Sequence, residues 1–299
     1  MMSNDVNIVT LRTLLGDYPN TKALKTGEVH SSSIALDFAD VKVPHTAFKR
    51  VVRDLEFDVA ELSIVTFLMA KSFGKPLRLL PAVMFGRFQH PYLVSTHEIE
   101  PKELEGKRIA IRSCSVTTVA WLRGILADDH GVNLDRVNWV TFEDTHVAEY
   151  RDPPGTERAA AGKTPLAMLL AGEVDAAVLA DPLPKDERLK SVIADPAAAA
   201  ADWQRRNGAL QINHMVVVRE SLLKDEPEIV REVFGLMLKS KEISEKNEKE
   251  KNPFDPSPFG LEANRRNLEV AIDYVYRQKL IPKRYAVDEL FDAVTRSLA

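Results

Sequence analysis

The stretch KRIAIRSCSVTTVAWLRGILADDH, Lys107–His130, decides the fold. Lys107–Ile111 carries a short apolar run that reads as a buried strand. Arg112–Val116 reads as a loop, and Thr117–His130 as a helix. A strand that empties through a short loop into a helix is the βα unit of a largely parallel sheet.

The same alternation runs outward in both directions. Upstream, Asn7–Leu15, Ala35–Val43, Phe57–Leu62, Leu77–Val83 and Pro91–Ser95 read as strands. Ala47–Leu55 and Ser63–Phe73 read as helices, and Gly16-Asp17-Tyr18-Pro19 as a turn. Downstream, Val137–Phe142 and Val174–Leu179 read as strands, and Thr164–Ala171 as a helix closed by Gly172. Gln211–Arg219 reads as a return strand, followed by helices over Pro227–Glu248, Leu261–Gln278 and Val287–Ser297. The alanine-rich Asp195–Asp202 reads as a surface connection. So does the charged run Glu245–Lys251 with the proline-rich Pro253–Pro258. The breaks place residues 1–95 in one lobe, 96–210 in a second, and 211–299 back on the first with the closing helices.

Composition narrows the function classes. The 299 residues are 45% hydrophobic and 28% charged, enough for one large domain or two compact lobes. A net charge of -4 argues against nucleic acid, which calls for a basic face. No run approaches the ~18 apolar residues of a membrane span. The start, MMSNDVNIVTLRTLLG, does not read as a secretory signal, and one cysteine, Cys114, forms no internal disulfide. The expected compartment is the cytoplasm.

The segment Ile109–Thr118 is the sharpest chemical feature. Free backbone N–H groups at a helix start favour anions, Ser113, Thr117 and Thr118 add hydroxyl donors, and Arg112 offers a fork that fits a carboxylate. Ser115 or Thr117 could equally act as an ordinary helix cap. Glu61 lies at a strand-to-helix turn and suits an acid or base role, whereas Asp58 or Ser63 can simply cap the next helix. Arg87 and His90 share a loop with aromatic residues, an arrangement that suits an aromatic acid. His214 opens an apolar strand beside Asn213, and burying imidazole is unfavourable unless it is hydrogen-bonded. Trp121–Leu126 reads as the core face of a helix, with Arg123 the one side chain there that could turn to a cleft. The histidine spacings give no metal motif, no GxSxG elbow is present, and no cofactor motif appears.

Five spaced stretches resemble the 4,5-dihydroxyphthalate decarboxylases. They are Leu15–Tyr18, Glu56–Ser63, Thr117–Leu126, Ile212–Arg219 and Pro258–Arg265. The resemblance implies an α/β fold of the two-lobed type 2 periplasmic-binding-protein kind, with a ligand cleft between the lobes. It also implies non-oxidative decarboxylation of a hydroxylated aromatic acid. His214, Glu61 and His90 are then the expected catalytic residues. Arg87, Arg112, Ser113, Thr117, Thr118 and Glu262 are the expected substrate contacts. The chain departs at Gln89, where a basic residue is expected, and Arg112-Ser113-Cys114 is its own version of the loop. No cofactor and no metal ligand are expected. The expected partner is a small aromatic carboxylate, with neither nucleic acid nor membrane, and with a homo-oligomer left open. The alternatives are a solute-binding protein of an ABC-type transport system, or another cytoplasmic enzyme on the same fold.

Overall fold

The computed structural model describes residues 8–247 and 255–299 and divides into two units. Met1–Gly86, Ile212–Glu269 and Tyr285–Ala299 form the first; Arg87–Gln211 and Val270–Arg284 form the second. The first crossing thus falls at Gly86 rather than near 95, and Val270–Arg284 joins the second unit rather than the first. Asn7, Glu248–Lys251 and Pro253–Phe254, read above as element ends and connections, lie outside the described residues.

The first unit is a five-stranded sheet. Its strands are β1 (Val9–Leu14), β2 (Ile34–Phe38), β3 (Val59–Ser63), β4 (Leu77–Gly86) and β11 (Ile212–Arg219), in the order β2-β1-β3-β11-β4. β1 runs parallel to β2 and β3, whereas β11 runs antiparallel to both of its neighbours. β4 is longer than the sequence suggests because β11 pairs with it as far as Gly86. Its helices are α1 (Pro19–Lys25), α2 (Ile64–Ser72), α6 (Glu220–Asp225), α7 (Pro227–Asn247), α9 (Ala293–Arg296) and the start of α8 (Leu261–Arg277). Leu11, Leu24, Leu80, Val216, Phe234 and Met237 belong to one buried cluster that joins this sheet to α1 and α7.

The second unit is a six-stranded sheet in the order β10-β5-β9-β6-β7-β8. Its strands are β5 (Leu93–Ser95), β6 (Arg108–Ile111), β7 (Asn138–Thr141), β8 (Glu157–Arg158), β9 (Ala176–Val178) and β10 (Lys190–Ser191). β9, β6, β7 and β8 are mutually parallel, and β5 and β10 close the sheet antiparallel. Its helices are α3 (Thr117–His130), α4 (Pro165–Leu170), α5 (Pro196–Asn207) and the end of α8. A separate cluster around Val94, Ala110, Val140, Leu169 and Ala177 forms its core.

The structure corrects three local readings. The alanine-rich stretch is helix α5: Asp195 accepts from the Ala198 N–H at 3.1 Å, Pro196 opens the helix and Gly208 in the left-handed region closes it. Alanine is the strongest helix former, so its run marks helix rather than connection. Ala47–Leu55 is not a regular helix but a 3-10 turn followed by a π turn that stops where Leu55 takes φ 50°. Val287–Ser297 splits into the short turns Val287–Leu290 and Ala293–Arg296, the second begun afresh by Asp292 as its cap.

Every residue of β3 is buried, so its apolar side chains bear directly on the sheet. Leu62→Ala, at a fully buried position, is expected to lose about 2–5 kcal/mol of stability. Denaturant unfolding checks it.

Candidate functional site

A carboxylate sits in the middle of this buried strand. Glu61 on β3 is 0% exposed. An ion in that position is tolerated only with a full set of donors. Sheet register supplies the first. His214 on β11 lies opposite Ser63 and Val216 opposite Glu61. Residues two apart on a strand share a face, so Glu61 and His214 are diagonal neighbours within reach of long side chains. His214 Nδ1 stands 2.8 Å from Glu61 Oε1.

The turn after β1 supplies the others. β1 runs parallel to β3 with Leu14 beside Ala60, so the chain leaving it passes the carboxylate. The Gly16 N–H donates to Oε2 at 2.5 Å and the Tyr18 hydroxyl to Oε1 at 2.8 Å. Glycine is required there: a Cβ at Gly16 would stand 2.6 Å from the Tyr18 ring. Ser63 is the cap of α2, accepting from the Thr66 N–H at 3.3 Å. Asp58 instead accepts from the Arg12 N–H at 2.7 Å and pairs with Arg219.

These contacts set the protonation chemistry. Burial, and then the neighbouring Glu61 charge, push the Tyr18 hydroxyl far above its ordinary range, so it remains a donor. With a carboxylate as acceptor, Nδ1 of His214 carries a proton, and Nε2 is the ring nitrogen left for other work. The His214 side chain is 14% exposed, unlike that of its partner. The imidazole lies edge-on to Phe48 with centroids 5.1 Å apart, and tilted against Phe85 at 5.6 Å. Phe85 stacks in turn on Tyr18 at 6.1 Å. A cavity of about 800 Å³ adjoins this shelf, with Tyr18, Phe85, Gly86 and Lys241 in its lining. Lys241 is matched there by Glu245 and by Asp255 at 2.9 Å.

The remaining expected residues have other surroundings. Glu262 is exposed at the start of α8 and pairs with Arg265 at 2.6 Å. In the second unit, Arg112 follows β6 with Nε 3.6 Å from the Glu143 carboxylate. Ser113 and Ser115 hydrogen-bond each other at 3.1 Å, so neither caps α3, whose cap position is Val116. The Thr117 hydroxyl is buried without a partner, and Thr118 stands half-buried in the same first turn. Arg87 pairs with Asp181 at 2.8 Å and lies over the Tyr92 ring.

His90 is a core residue rather than one in contact with solvent. It is 1% exposed, neither ring nitrogen has a partner, and Phe88 and Trp203 flank it. Burial pushes its pKa down to about 4, so the ring is neutral.

Glu61 and His214 are thus hydrogen-bonded together, and Gly16 and Tyr18 complete a group that sequence reasoning had treated as a turn. The usable signal was glycine two residues before an aromatic hydroxyl at the end of a strand. Among the described residues, no group of three or more His, Cys, Asp or Glu side chains is placed to hold a metal ion, and no helix is long and apolar enough to cross a membrane.

No protein-family model matches the chain. Two curated relatives are both named 4,5-dihydroxyphthalate decarboxylase. That of Comamonas testosteroni is 28% identical over 233 residues, 73% of this chain and 70% of the relative. That of Pseudomonas putida is 29% identical over 216 residues, 67% of this chain and 83% of the relative. Among solved structures, the alkanesulfonate-binding protein SsuA from Xanthomonas axonopodis pv. citri superposes with a TM-score of 0.56 at 15% identity. It covers 96% of this chain and 99% of that one. The chain is therefore related in sequence to these decarboxylases and has the α/β fold of periplasmic-type binding proteins.

Holding His90 neutral has a consequence for stability. Its folded pKa of about 4 lies below the ordinary 6.5, so between those values the unfolded chain binds the extra proton. The stability this contributes is present above pH 6.5 and is lost as pH falls toward 4. The stability of the wild type minus that of His90→Leu should shrink across that window in denaturant titrations. A constant difference would show that the ring is not held neutral.

Proposed function

We propose that the chain is a non-oxidative decarboxylase, a carboxy-lyase acting on a hydroxylated aromatic acid such as 4,5-dihydroxyphthalate. The observation that carries the reading is the buried Glu61 bound to Nδ1 of His214, which leaves Nε2 for proton transfer. The two relatives named for this reaction support it.

A ring hydroxyl para to the carboxylate-bearing carbon gives its proton to solvent water and pushes an electron pair into the ring. That carbon takes a proton from Nε2–H of protonated His214, giving a cyclohexadienone that still bears the carboxylate. The carbon–carboxylate bond then breaks, its electron pair restores the aromatic ring as a phenolate that takes a proton back from solvent, carbon dioxide leaves, and His214 takes up a proton from solvent for the next turnover. One proton is gained at carbon and one carbon dioxide is lost, so no external oxidant or reductant is needed. The ring hydroxyl supplies the electron push that a cofactor would otherwise provide.

Glu61 acts through His214. Its oxygens are occupied by Gly16, Tyr18 and His214, so it orients the imidazole and stabilises the imidazolium rather than touching the ring. Tyr18, held protonated, keeps the carboxylate fixed. A carboxylate-holding role for Arg112, Ser113, Thr117 and Thr118 in the second unit is a separate proposal. It rests on their guanidinium and hydroxyl chemistry. The cytoplasm is the proposed compartment, in keeping with a buried free thiol at Cys114.

The fold shared with a sulfonate-binding protein favours one second reading, binding of an aromatic acid without turnover, because fold alone does not fix function. Incubation with 4,5-dihydroxyphthalate separates the two, following carbon dioxide release and the ring spectrum with and without a chelator. Steady, chelator-insensitive turnover is expected. A thermal shift without turnover would favour the binding role. His214→Gln should lower turnover about 100-fold or more, the scale of a lost general acid. Near-normal turnover would remove His214 from the mechanism. Tyr18→Phe, which takes one donor from Glu61, should destabilise the protein by about 1–3 kcal/mol in the same unfolding assay.

A further inference from the structure

The hydrogen bond to Glu61 fixes where Nδ1 of His214 stands, but not how the ring tilts about that point. The outer torsion of histidine is broad, so the backbone does not set the tilt either. The direction of Nε2 therefore depends on what packs against the ring. Two aromatic side chains do so. Phe85 stands opposite His214 on β4, where sheet register places it, with the two rings 59° apart. Phe48 comes from outside the sheet, on the chain between β2 and β3. It is 1% exposed, and its ring stands at 82° to the imidazole.

The chain around Phe48 is built irregularly. Pro44–Ala47 is a 3-10 turn packed on β3, and Arg50–Asp54 is a single π turn. Phe48 and Lys49 take right-handed helical angles between them. Single π turns are rare and occur frequently at functional sites. This one stops at Leu55, whose φ of 50° and ψ of 39° lie in the left-handed region. A bulky side chain stays there only where its surroundings impose it. An ion pair closes the turn across that residue. Arg50 Nε donates to Glu56 Oε2 at 2.6 Å and Nη2 to Oε1, and the guanidinium lies over the Phe57 ring, 5.2 Å from its centroid. The N–H groups of Leu55 and Glu56 both donate to the Arg50 carbonyl. Val51 and Val52 in the π turn are buried, so the core fixes it as well.

We propose that Phe48 is a positioning residue that sets the tilt of the His214 ring and so aims Nε2, and that the Arg50–Glu56 pair holds Phe48 in place through the π turn. Glu61 then fixes the position and tautomer of the imidazole, and Phe48 fixes its direction. Direction matters to proton transfer, since a misplacement of about 1 Å can lower a rate about 100-fold. The kinetic part of this inference rests on the decarboxylase reading; the restraint on the ring does not.

Two variants of the full chain test it. Phe48→Leu removes the ring and keeps an apolar side chain; Arg50→Met breaks the ion pair at a partly exposed residue. Carbon-13 relaxation of the labelled His214 ring reads the restraint, its signal identified by its absence from His214→Gln. The order parameter of the Cδ2–H bond is expected to fall from about 0.85 in the wild type to below about 0.6 in both variants. With 4,5-dihydroxyphthalate, kcat should fall about tenfold in each, with KM within about twofold of the wild type. The double variant should be no slower than Phe48→Leu alone, because the ion pair works through that ring. Circular dichroism establishes folding; if Phe48→Leu is not folded, Arg50→Met decides. An order parameter unchanged in a folded variant overturns the proposal. So does a loss carried by KM with kcat kept, or a double variant whose losses multiply. Absence of turnover in the wild type overturns the decarboxylase reading instead, and the order parameters then decide this one.

Discussion

A carboxylate enclosed in a sheet has to be satisfied where it stands, because moving an ion out of water carries a penalty that only donors in good geometry offset. Glu61 meets this condition from separate parts of the first unit: a backbone N–H and a phenol from the turn after β1, and an imidazole from β11. Much of the local sequence follows from that single enclosed charge. Residue 16 has no side chain because the Tyr18 ring occupies the space. Tyr18 keeps its proton because burial, and then the carboxylate beside it, oppose a negative charge on its oxygen. His214 presents one defined tautomer because its other nitrogen is committed.

Strands and helices were legible wherever local chemistry and packing agree. Thr117–His130 is helix α3 to the residue, since an apolar helical pattern there meets no competing signal. The return strand at residues 212–219 was likewise visible from its apolar run, whereas its antiparallel direction came only from the pairing with β3 and β4. Alanine misled at 195–202, where small side chains were taken for lack of structure although Asp195 and Pro196 carry a capping pattern. At the site, Glu61 and His214 were each recognisable as polar residues in apolar strands. Their pairing was not, because they are 153 residues apart and only sheet register joins them. Tyr18 escaped for a related reason: its hydroxyl takes meaning from a strand more than forty residues away.

The two units treat buried polarity differently. Around Glu61 the donors and acceptors are matched. Most of the buried polar atoms without a partner among the described residues lie instead in the second unit, at His90, Thr117, Arg123, Tyr150, Asp152 and Gln278 among others. Unmatched groups of this kind weaken a fold unless something else meets them. His90 avoids part of that penalty by staying neutral. Arg123 has no such route, and the aromatic face of Trp139 meets it only from one side.

The place of β11 in the first sheet bears on how the chain is made. β11 lies between β3 and β4, yet it is synthesised only after all of residues 87–211. While the second unit emerges from the ribosome, β3 and β4 have no strand between them, and each presents an edge with open hydrogen-bonding groups. Such edges invite pairing with the wrong chain. His214 arrives with the strand that closes the gap, so Glu61 gains its imidazole partner only when the sheet itself is sealed.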